Sequence, residues 1–358
     1  MRVTILLFCL LVSGCSPKKG TLLNQNTELL HAKKFGISPE KTLTVYEPFQ
    51  GSKSPQIISL NNPDGISIPV KRVVCTSTSQ LHFLELLDET DKLVGFPTLN
   101  FISSELIQDK TEKGSIVDLG KDAALNIEQL IKLKPDIVVA YSISNDLRQW
   151  ERIERLGIQV VFDASYLEPT PLAQAEWIKF FGFLLGKEKA ADSVFNKIEK
   201  SYQEVLEMAN RKGSRPTVIG GSLYNGTWFM PGGNSWVASY IRDAGGNYLW
   251  SHLDQMGSSA LTFETVYEHG RNADIWIGAT AYGSISSILQ SDERFGFFQS
   301  VIDSNVFSPT KRITKNGGND YYESGVARPD LVLKDLVKML HPEVIPDYEL
   351  VYFKNLKY

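Results

Sequence analysis

The sequence has 358 residues, of which 42% are hydrophobic, with three cysteines and a formal net charge of −4 at pH 7. This weakly acidic balance argues against a nucleic acid partner, which requires a basic surface. The length exceeds the ~250–300 residues that one hydrophobic core usually serves, so two lobes are expected.

The N-terminus is predicted to be a signal segment that ends at a modified cysteine. An apolar run over residues 3–12 is too short to span a bilayer as a mature helix, and residues 1–14 therefore indicate a secretory signal peptide. The tetrapeptide Val12-Ser13-Gly14-Cys15 resembles a bacterial lipobox, which implies cleavage before Cys15 and acylation of that cysteine. An ordinary secretion signal that happens to contain a cysteine is the alternative. We expect residues 15–70 to form a lipidated tether followed by strands.

Two predicted strands follow the tether, and after them predicted strands alternate with predicted helices. Thr42–Tyr46 and Gln56–Leu60 are short alternating or β-branched runs, which are typical of strands. From Val70 onward apolar strands alternate with helices, which predicts βα units and a largely parallel sheet, and we assign residues 71–170 to a first α/β lobe. Cys75 lies in one of the apolar strands and is expected to be a buried small hydrophobe.

Strand signals stop over residues 171–212, where linking helices are predicted. Trp177–Leu185 is strongly apolar, Gly186 is a helix stop, and a helical pattern from Lys187 onward runs for about 23 residues, or about 34 Å, long enough to connect two lobes. The βα pattern resumes over residues 213–358. The predicted fold class is α/β, with two Rossmann-like lobes joined by a single long α-helix and a ligand cleft between the lobes.

A short helix-to-strand unit occurs twice, once in each predicted lobe. Ala124–Leu130 leads into the strand Asp136–Ala140, and the similar segment Ala260–Val266 leads into Asp274–Gly278. In each copy the helical periodicity places one glutamate, Glu128 or Glu264, on the outward face. Two like-placed carboxylates suggest a two-point docking surface, although glutamate is also common at ordinary solvated helix positions.

Three groups of motifs occur in order along the chain. They are Asn126-Ile127-Glu128 … Leu133-Lys134-Pro135-Asp136, Pro231-Gly232-Gly233-Asn234-Ser235 … Asp243-Ala244-Gly245-Gly246, and Tyr322-Glu323 … Arg328-Pro329-Asp330 … His341-Pro342-Glu343. With the lipobox and the repeated glutamate unit, they resemble the helical-backbone class of substrate-binding lipoproteins that serve ABC importers of ferric siderophores, haem and cobalamin. The resemblance implies a rigid interlobe helix with little closure on ligand. It also implies that Glu128 and Glu264 dock onto arginines of the permease subunits.

The ligand site is expected in the crevice between the lobes, where strands end. Hydroxyl and aromatic residues recur at these positions, namely Ser79, Tyr141 and Tyr166 in the first lobe and Tyr224, Trp228, Tyr282 and Tyr322 in the second. Aromatic rings can cover a flat chelate or macrocycle while their polar atoms hydrogen-bond its rim, but packing at a lobe edge explains each ring equally well. The run Thr76–Ser79 could present N–H groups to an anion, and capping of the following helix explains it better.

Charge and metal-ligand residues narrow the class of ligand. Arg312, in a Gly-rich stretch before Tyr322, is the preferred contact for an anionic ferric siderophore, ahead of Arg148 and Arg328, although each is also a common type of surface residue. The five histidines are scattered, and no HExxH, GxSxG or P-loop motif is present. This argues against a zinc or manganese site and against an enzyme.

The sequence therefore predicts a lipoprotein, not an enzyme, that binds an iron chelate and delivers it to an ABC importer. Cobalamin or haem is the alternative ligand, and Tyr141, Tyr166 or Tyr282 could supply an axial oxygen to haem. We expect a monomer with no cofactor of its own and no nucleic acid partner. We expect it on the periplasmic face of the bacterial cell envelope, held to the membrane by its lipid anchor.

Overall fold

The computed structural model describes residues 29–60 and 65–358. The predicted signal peptide over residues 1–14 and the predicted lipidation site at Cys15 lie outside these ranges. In the part of the chain that is described, no helix has both the length and the apolar character needed to cross a bilayer.

A small antiparallel sheet precedes the first lobe, as the strand patterns predicted. It consists of β1 (Phe35–Ile37), β2 (Thr42–Val45) and β3 (Gln56–Ser59), in the order β1-β2-β3. The segment that leads into it is fastened by two buried carboxylates. Glu176 accepts hydrogen bonds from the backbone N–H groups of Leu30, His31 and Ala32 at 2.9, 2.7 and 2.8 Å, and Glu168 accepts from the next two residues. The N-terminal extension is thereby fixed to the region that links the lobes.

The first lobe is built on a five-stranded sheet. Its elements are β4 (Val73–Cys75), α1 (Thr78–Leu86), β5 (Leu93–Phe96), α2 (Glu105–Glu112), β6 (Val117–Asp118), β7 (Gly120–Lys121), β8 (Ala124–Leu125), α3 (Ile127–Leu133), β9 (Ile137–Ala140), α4 (Arg148–Arg155) and β10 (Gln159–Phe162). The sheet order is β10-β9-β4-β5-β6 and all its pairs are parallel. Because the winding direction reverses between β4 and β9, a crevice is expected at their carboxyl ends.

Three helices connect the lobes, α5 (Pro171–Ala175), α6 (Ile178–Leu185) and α7 (Glu188–Asn210). Gly186 ends α6 in the left-handed conformation with φ 70°, and α7 has 23 residues, as the sequence predicted. Helix α7 contributes Phe195 to the core of the first lobe and Tyr202 and Val205 to the core of the second. One continuous helix is therefore packed into both cores.

The second lobe contains two sheets. Its elements are β11 (Thr217–Gly220), β12 (Ser222–Tyr224), β13 (Thr227–Pro231), α8 (Trp236–Asp243), β14 (Asn247–Tyr248), β15 (Ser258–Leu261), α9 (Phe263–Gly270), β16 (Ile275–Ile277), α10 (Ile285–Ser291), α11 (Gln299–Ile302), β17 (Val306–Ser308), α12 (Ser324–Ala327), α13 (Pro329–Leu340) and β18 (Lys354–Asn355). The main sheet has the order β14-β11-β16-β17-β18 and is parallel except for β18. A smaller antiparallel sheet has the order β12-β13-β15.

The repeated sequence unit has the same structural role in both lobes. Asp136, just before β9, accepts hydrogen bonds from the N–H groups of Lys71 and Arg72 at 2.7 and 2.9 Å, at the start of the neighbouring β4. Asp274, just before β16, accepts from the N–H of Thr217 at 2.7 Å, at the start of the neighbouring β11. Each aspartate thus sets the register between two adjacent parallel strands. The prediction of a two-lobed α/β fold is confirmed.

Candidate functional site

A pocket of about 400 Å³ opens at the carboxyl ends of β11, β16 and β17 in the second lobe. We call it the aromatic pocket, because six of its lining residues carry aromatic rings: Tyr224, Phe229, Trp236, Tyr321, Tyr322 and Phe353. Ser222, Ser258 and Thr280 add hydroxyl groups, and none of the described residues that line it is charged. The pocket can therefore cover an extended apolar face and hydrogen-bond its edge.

One wall of the aromatic pocket is a face of the antiparallel sheet β12-β13-β15 of the second lobe. Strands β12 and β13 are joined by Asn225 and Gly226, both at positive φ (48° and 77°), which is the two-residue turn that suits a hairpin. Side chains alternate between the two faces of a strand, so Phe229 of β13 shares the pocket face with Tyr224 of β12. Gly221, which follows β11, allows the hairpin to lie close to the end of that strand, because a Cβ at this position would lie 2.0 Å from the Phe229 carbonyl oxygen.

Trp228 lies on the opposite face of β13, and its prediction as a ligand contact is wrong for this structure. Its side chain has 0% exposure, and its indole N–H donates to the carbonyl oxygen of Gly220 at 2.9 Å. The ring packs against Trp276, with 5.1 Å between ring centroids. The Asn-Gly turn and strand alternation predict that Trp228 and Phe229 lie on opposite faces of the hairpin, but which of the two faces lines the pocket depends on how the hairpin packs on the rest of the lobe.

Tyr224 and Tyr322, two predicted ligand contacts, both line the aromatic pocket. Their exposed fractions are 63% and 46%. The Tyr322 hydroxyl is protonated at neutral pH, and its partial burial raises its pKa further, so it can donate a hydrogen bond. Tyr321 and Trp236, which the sequence analysis did not single out, pack against each other with 6.0 Å between ring centroids and complete this wall.

Tyr282, also predicted as a ligand contact, does not line the aromatic pocket. Its ring packs against Trp276 and Phe295 at centroid distances of 6.0 and 5.8 Å. The neighbouring Thr280 and Ala281 line the pocket instead. Tyr282 is therefore a packing residue, because its ring lies against the aromatic side chains of the second-lobe core.

Arg312 lies in a second cavity, a groove of about 500 Å³ whose walls come from both lobes. We call it the interlobe groove; its lining includes His82, Glu85, Ser103, Ser104 and Glu105 from the first lobe and Arg312, Asp320, Glu323 and Arg328 from the second. Arg312 is half-exposed and pairs with Asp320 at 2.9 Å. Arg328 pairs with Asp330, and Arg148 with Asp146. Each of the three arginines considered for an anionic ligand therefore already has a carboxylate partner.

The predicted contacts of the first lobe are not brought to the aromatic pocket. Tyr141 and Tyr166 lie together, with 4.9 Å between ring centroids, and Tyr141 lines a separate cavity of about 630 Å³. Burial raises the pKa of both hydroxyls. The Tyr166 hydroxyl donates to the Ser142 carbonyl at 2.6 Å and accepts from the Gln50 N–H at 3.1 Å, so its hydrogen-bonding capacity is used within the lobe.

Ser79 lies at the start of α1, where the backbone is capped from within the chain. The side-chain oxygen of Gln80 accepts from the N–H groups of Thr76 and Ser77 at 3.0 and 3.2 Å. The hydroxyls of Ser77 and Ser79 are 2.9 Å apart. This arrangement agrees with capping as the reason for the hydroxyl run, because two of the N–H groups that an anion would need are occupied.

Glu128 and Glu264 occupy equivalent positions in α3 and α9. Each is exposed and follows the helix N-cap by two residues, where Asn126 accepts from Gln129 N–H at 3.1 Å and Thr262 accepts from Thr265 N–H at 3.2 Å. Glu264 also pairs with Arg294 at 3.0 Å. The structure thus presents one outward carboxylate on each lobe at matching places in the repeated unit.

Metal-ligating side chains do not converge in the described ranges 29–60 and 65–358. No group of three or more His, Cys, Asp or Glu residues there has a geometry that could hold a metal ion. The His82–Glu85 pair that the sequence spacing singled out is a hydrogen-bonded pair within α1, with 2.8 Å between Nδ1 and Oε2.

Comparison with known sequences identifies relatives that span most of the chain. A profile of the family described as periplasmic binding protein matches residues 73–308. Two uncharacterized lipoproteins of Methanocaldococcus jannaschii are 27% and 28% identical, over 82% and 83% of this chain and 70% and 77% of theirs.

Solved structures share the fold. The periplasmic haem-binding protein RhuT from Roseiflexus sp. RS-1 aligns with a TM-score of 0.59 at 17% identity, covering 76% of this chain and 99% of that one. CeuE of Helicobacter pylori, in a complex with Ni-His, aligns with a TM-score of 0.62 at 16% identity, covering 86% and 91%. At such low identities the likeness establishes the architecture alone.

Proposed function

The chain belongs to the periplasmic binding protein family, and from this premise we propose that it captures an iron chelate in the aromatic pocket and delivers it to an ABC importer. Members of the family are solute-binding transport proteins rather than enzymes. The observation that carries the proposed ligand is the set of six aromatic rings around a pocket of about 400 Å³.

The chemistry of the pocket supports a flat, largely uncharged ligand. Tyr224, Phe229 and Tyr322 expose substantial aromatic surface, while Ser222 and Thr280 offer hydroxyl groups. Ligand pockets of ~300–1,000 Å³ suit molecules of chelate size. An ion or a simple sugar would leave most of these rings exposed to water after binding.

The arginine pairs refine the predicted charge of the chelate. A polyanionic siderophore would find no cation in the aromatic pocket, because none of the described residues that line it is charged and because Arg312, Arg328 and Arg148 lie outside it, each beside an aspartate. We therefore favour a neutral or weakly charged ferric chelate over the anionic type that the sequence suggested.

Haem is the second candidate, with cobalamin as a further macrocycle of the same shape class. The observation in favour of haem is the exposed Tyr224 at the pocket, since a tyrosine oxygen is a known axial ligand of haem iron. Two solved proteins that share the fold, from Roseiflexus sp. RS-1 and Vibrio cholerae, are named as periplasmic haem-binding proteins.

The proposed partners are the permease subunits of the importer and a membrane surface. We place the mature protein outside the cytoplasm, held by acyl chains on Cys15, and monomeric. The described residues are consistent with delivery by docking, because Glu128 and Glu264 present one exposed carboxylate per lobe.

Titration of intrinsic fluorescence tests the ligand assignment. Purified protein is titrated with a neutral ferric trihydroxamate, an anionic ferric catecholate, haem and cyanocobalamin. We expect saturable quenching by the neutral chelate, and loss of most of that quenching in Trp236→Phe, because Trp236 lines the pocket. Trp250→Phe is the matched control, because Trp250 is buried in the second-lobe core.

Different outcomes separate the candidates. Tight binding of haem, with a visible absorption band that Tyr224→Phe shifts or abolishes, would establish the haem alternative. Saturation by none of the four ligands would overturn the proposal of a chelate or macrocycle.

A further inference from the structure

The carboxylate of Glu323 joins the two lobes directly. It belongs to the second lobe, between Tyr322 and α12, and accepts hydrogen bonds from the backbone N–H groups of Ser103 and Ser104 at 2.7 and 2.9 Å. Ser104 is the N-cap of α2 in the first lobe. These N–H groups at the helix start have no partner within the helix, so an acceptor from the other lobe satisfies them.

A second contact between the lobes lies on the same loop. A Cβ at Gly318 would lie 2.4 Å from the carbonyl oxygen of Phe101 in the first lobe, so the two backbones are already as close as a glycine permits. The loop that contains Gly318 also carries Tyr321 and Tyr322, the aromatic wall of the pocket. Tyr321 and Tyr322 therefore lie between two contacts with the first lobe, one at Gly318 before them and one at Glu323 after them.

Glu323 is buried, with 1% exposure, and among the described residues no ion pair includes it. The charged and titratable groups that line the groove around it are His82 and Glu85 from α1, Glu105 from α2, Arg312 and Asp320 from the preceding loop, Arg328 from the end of α12, and Tyr352. His82 pairs with Glu85, Arg312 with Asp320 and Arg328 with Asp330. Glu323 therefore accepts hydrogen bonds from two backbone N–H groups, while each arginine that lines the groove pairs with an aspartate instead.

The pKa of the Glu323 carboxyl is raised in these surroundings. Burial, together with the negative charges of Asp320 and Glu85, raises its pKa to about 7, although the two backbone hydrogen bonds act in the opposite direction. A carboxyl at this position changes its charge near neutral pH, unlike a solvated glutamate.

We propose that Glu323 is a proton-sensitive bridge between the lobes that positions Tyr322 at the aromatic pocket. When the hydrogen bonds of Glu323 to Ser103 and Ser104 break, we expect only the loop around Tyr322 to move. Helix α12, which follows Glu323, packs on α1, and its Ala327 is part of the first-lobe core. This proposal depends on the proposed function in one respect, namely that the aromatic pocket is the ligand site.

Acid strengthens the bridge and alkali weakens it. When the bridge opens, water reaches the carboxyl and its pKa falls toward the ordinary 4.5. The bridged state therefore holds more protons between pH 4.5 and pH 7, so its population is highest in acid and declines as pH rises through 7. By linkage, the ratio of bridged to open molecules should fall about tenfold between pH 6 and pH 8.

Amide hydrogen exchange measured by NMR tests the bridge without any ligand, so its failure is distinguishable from failure of the chelate proposal. After correction for intrinsic exchange, protection of the Ser103 and Ser104 amides should fall about tenfold from pH 6 to pH 8, and ring proton shifts of Tyr322 should titrate in parallel. In Glu323→Gln, both readouts should be independent of pH, because the amide side chain does not ionise. Glu112→Gln, an exposed position at the other end of α2 and outside the lining of the groove, is the control that should behave as the wild type.

Two results would overturn the proposal. One is protection of Ser103 and Ser104 that does not change between pH 6 and pH 8 in the wild type. The other is the same tenfold change in Glu323→Gln. If that variant does not fold, the wild-type amide shifts of Ser103 and Ser104 decide the matter, since a midpoint near 4.5 instead of 7 contradicts the bridge.

Discussion

At the scale of single residues, Trp228 and Phe229 show how adjacent aromatic side chains take opposite roles. Trp228 is fully buried, whereas Phe229 is 47% exposed and lines the aromatic pocket. The difference follows from the two-residue alternation of β13, and not from any property of the rings themselves. Composition alone therefore identifies aromatic residues as important without indicating whether each serves stability or binding.

A pair of substitutions separates these roles. Trp228→Ala should lower the free energy of unfolding by about 3–5 kcal/mol, because it opens a cavity in the core. Phe229→Ala should change it by less than about 1 kcal/mol while weakening ligand binding, because it removes a pocket wall. Urea denaturation and ligand titration of both variants provide the check. Similar stability losses in the two variants would contradict the assignment of their faces.

At the scale of elements, the contact between α6 and α7 limits what can change in the link between the lobes. A Cβ at Gly182 would lie 2.5 Å from the Cβ of Ala191 and 3.3 Å from the Lys187 carbonyl oxygen. The helices are thus as close as backbone atoms allow, which gives the long helix a rigid support. The sequence predicted both helices from periodicity and from Gly186, but the close approach depends on how they cross.

Gly182→Ala should destabilise the protein by about 1–3 kcal/mol, because the extra methyl group forces the two helices apart. Gly213→Ala is the matched control: Gly213 has open space around its Cα, so the change should stay within about 0.5 kcal/mol. Thermal or urea unfolding of both variants measures the difference. An equal effect of the two substitutions would show that α6 and α7 can separate without cost.

The hairpin of β12 and β13 is one of the elements that the sequence did not predict. Its Asn225-Gly226 turn is a strong local signal for a hairpin, although the flanking strands are only three and five residues long. Pairing with β15, about 30 residues further along the chain, completes the sheet and is not encoded locally.

At the scale of the whole molecule, the two glutamates define a surface that neither lobe provides alone. Glu128 and Glu264 lie at matching positions of the repeated unit on separate lobes, and the lobes are held by one helix packed into both cores. A fixed separation between two carboxylates gives orientation as well as attraction to a complementary partner. Glu264 differs from Glu128 in its pair with Arg294, so the two carboxylates do not have identical surroundings.

Reversal of both charges tests the docking role. Glu128→Arg combined with Glu264→Arg should reduce uptake in cells to background while leaving ligand affinity unchanged, because both residues are exposed and neither lines the aromatic pocket. Glu204→Arg with Glu207→Arg makes the same change in net charge on the exposed face of α7 and should leave uptake normal. Normal uptake by the first double variant would refute docking through these residues.

The sequence by itself determined the lobes, the 23-residue helix between them and the repeated unit with its outward glutamates, because periodicity and helix-ending residues are local properties of the chain. Tertiary structure decided which aromatic residues reach the pocket, since strand register turned Trp228 inward and Phe229 outward. It also decided that Arg312 faces an aspartate and that Glu323 bonds to Ser103, 220 residues earlier in the chain. Such pairings depend on the packing of the folded lobes, which brings together groups that no local pattern connects.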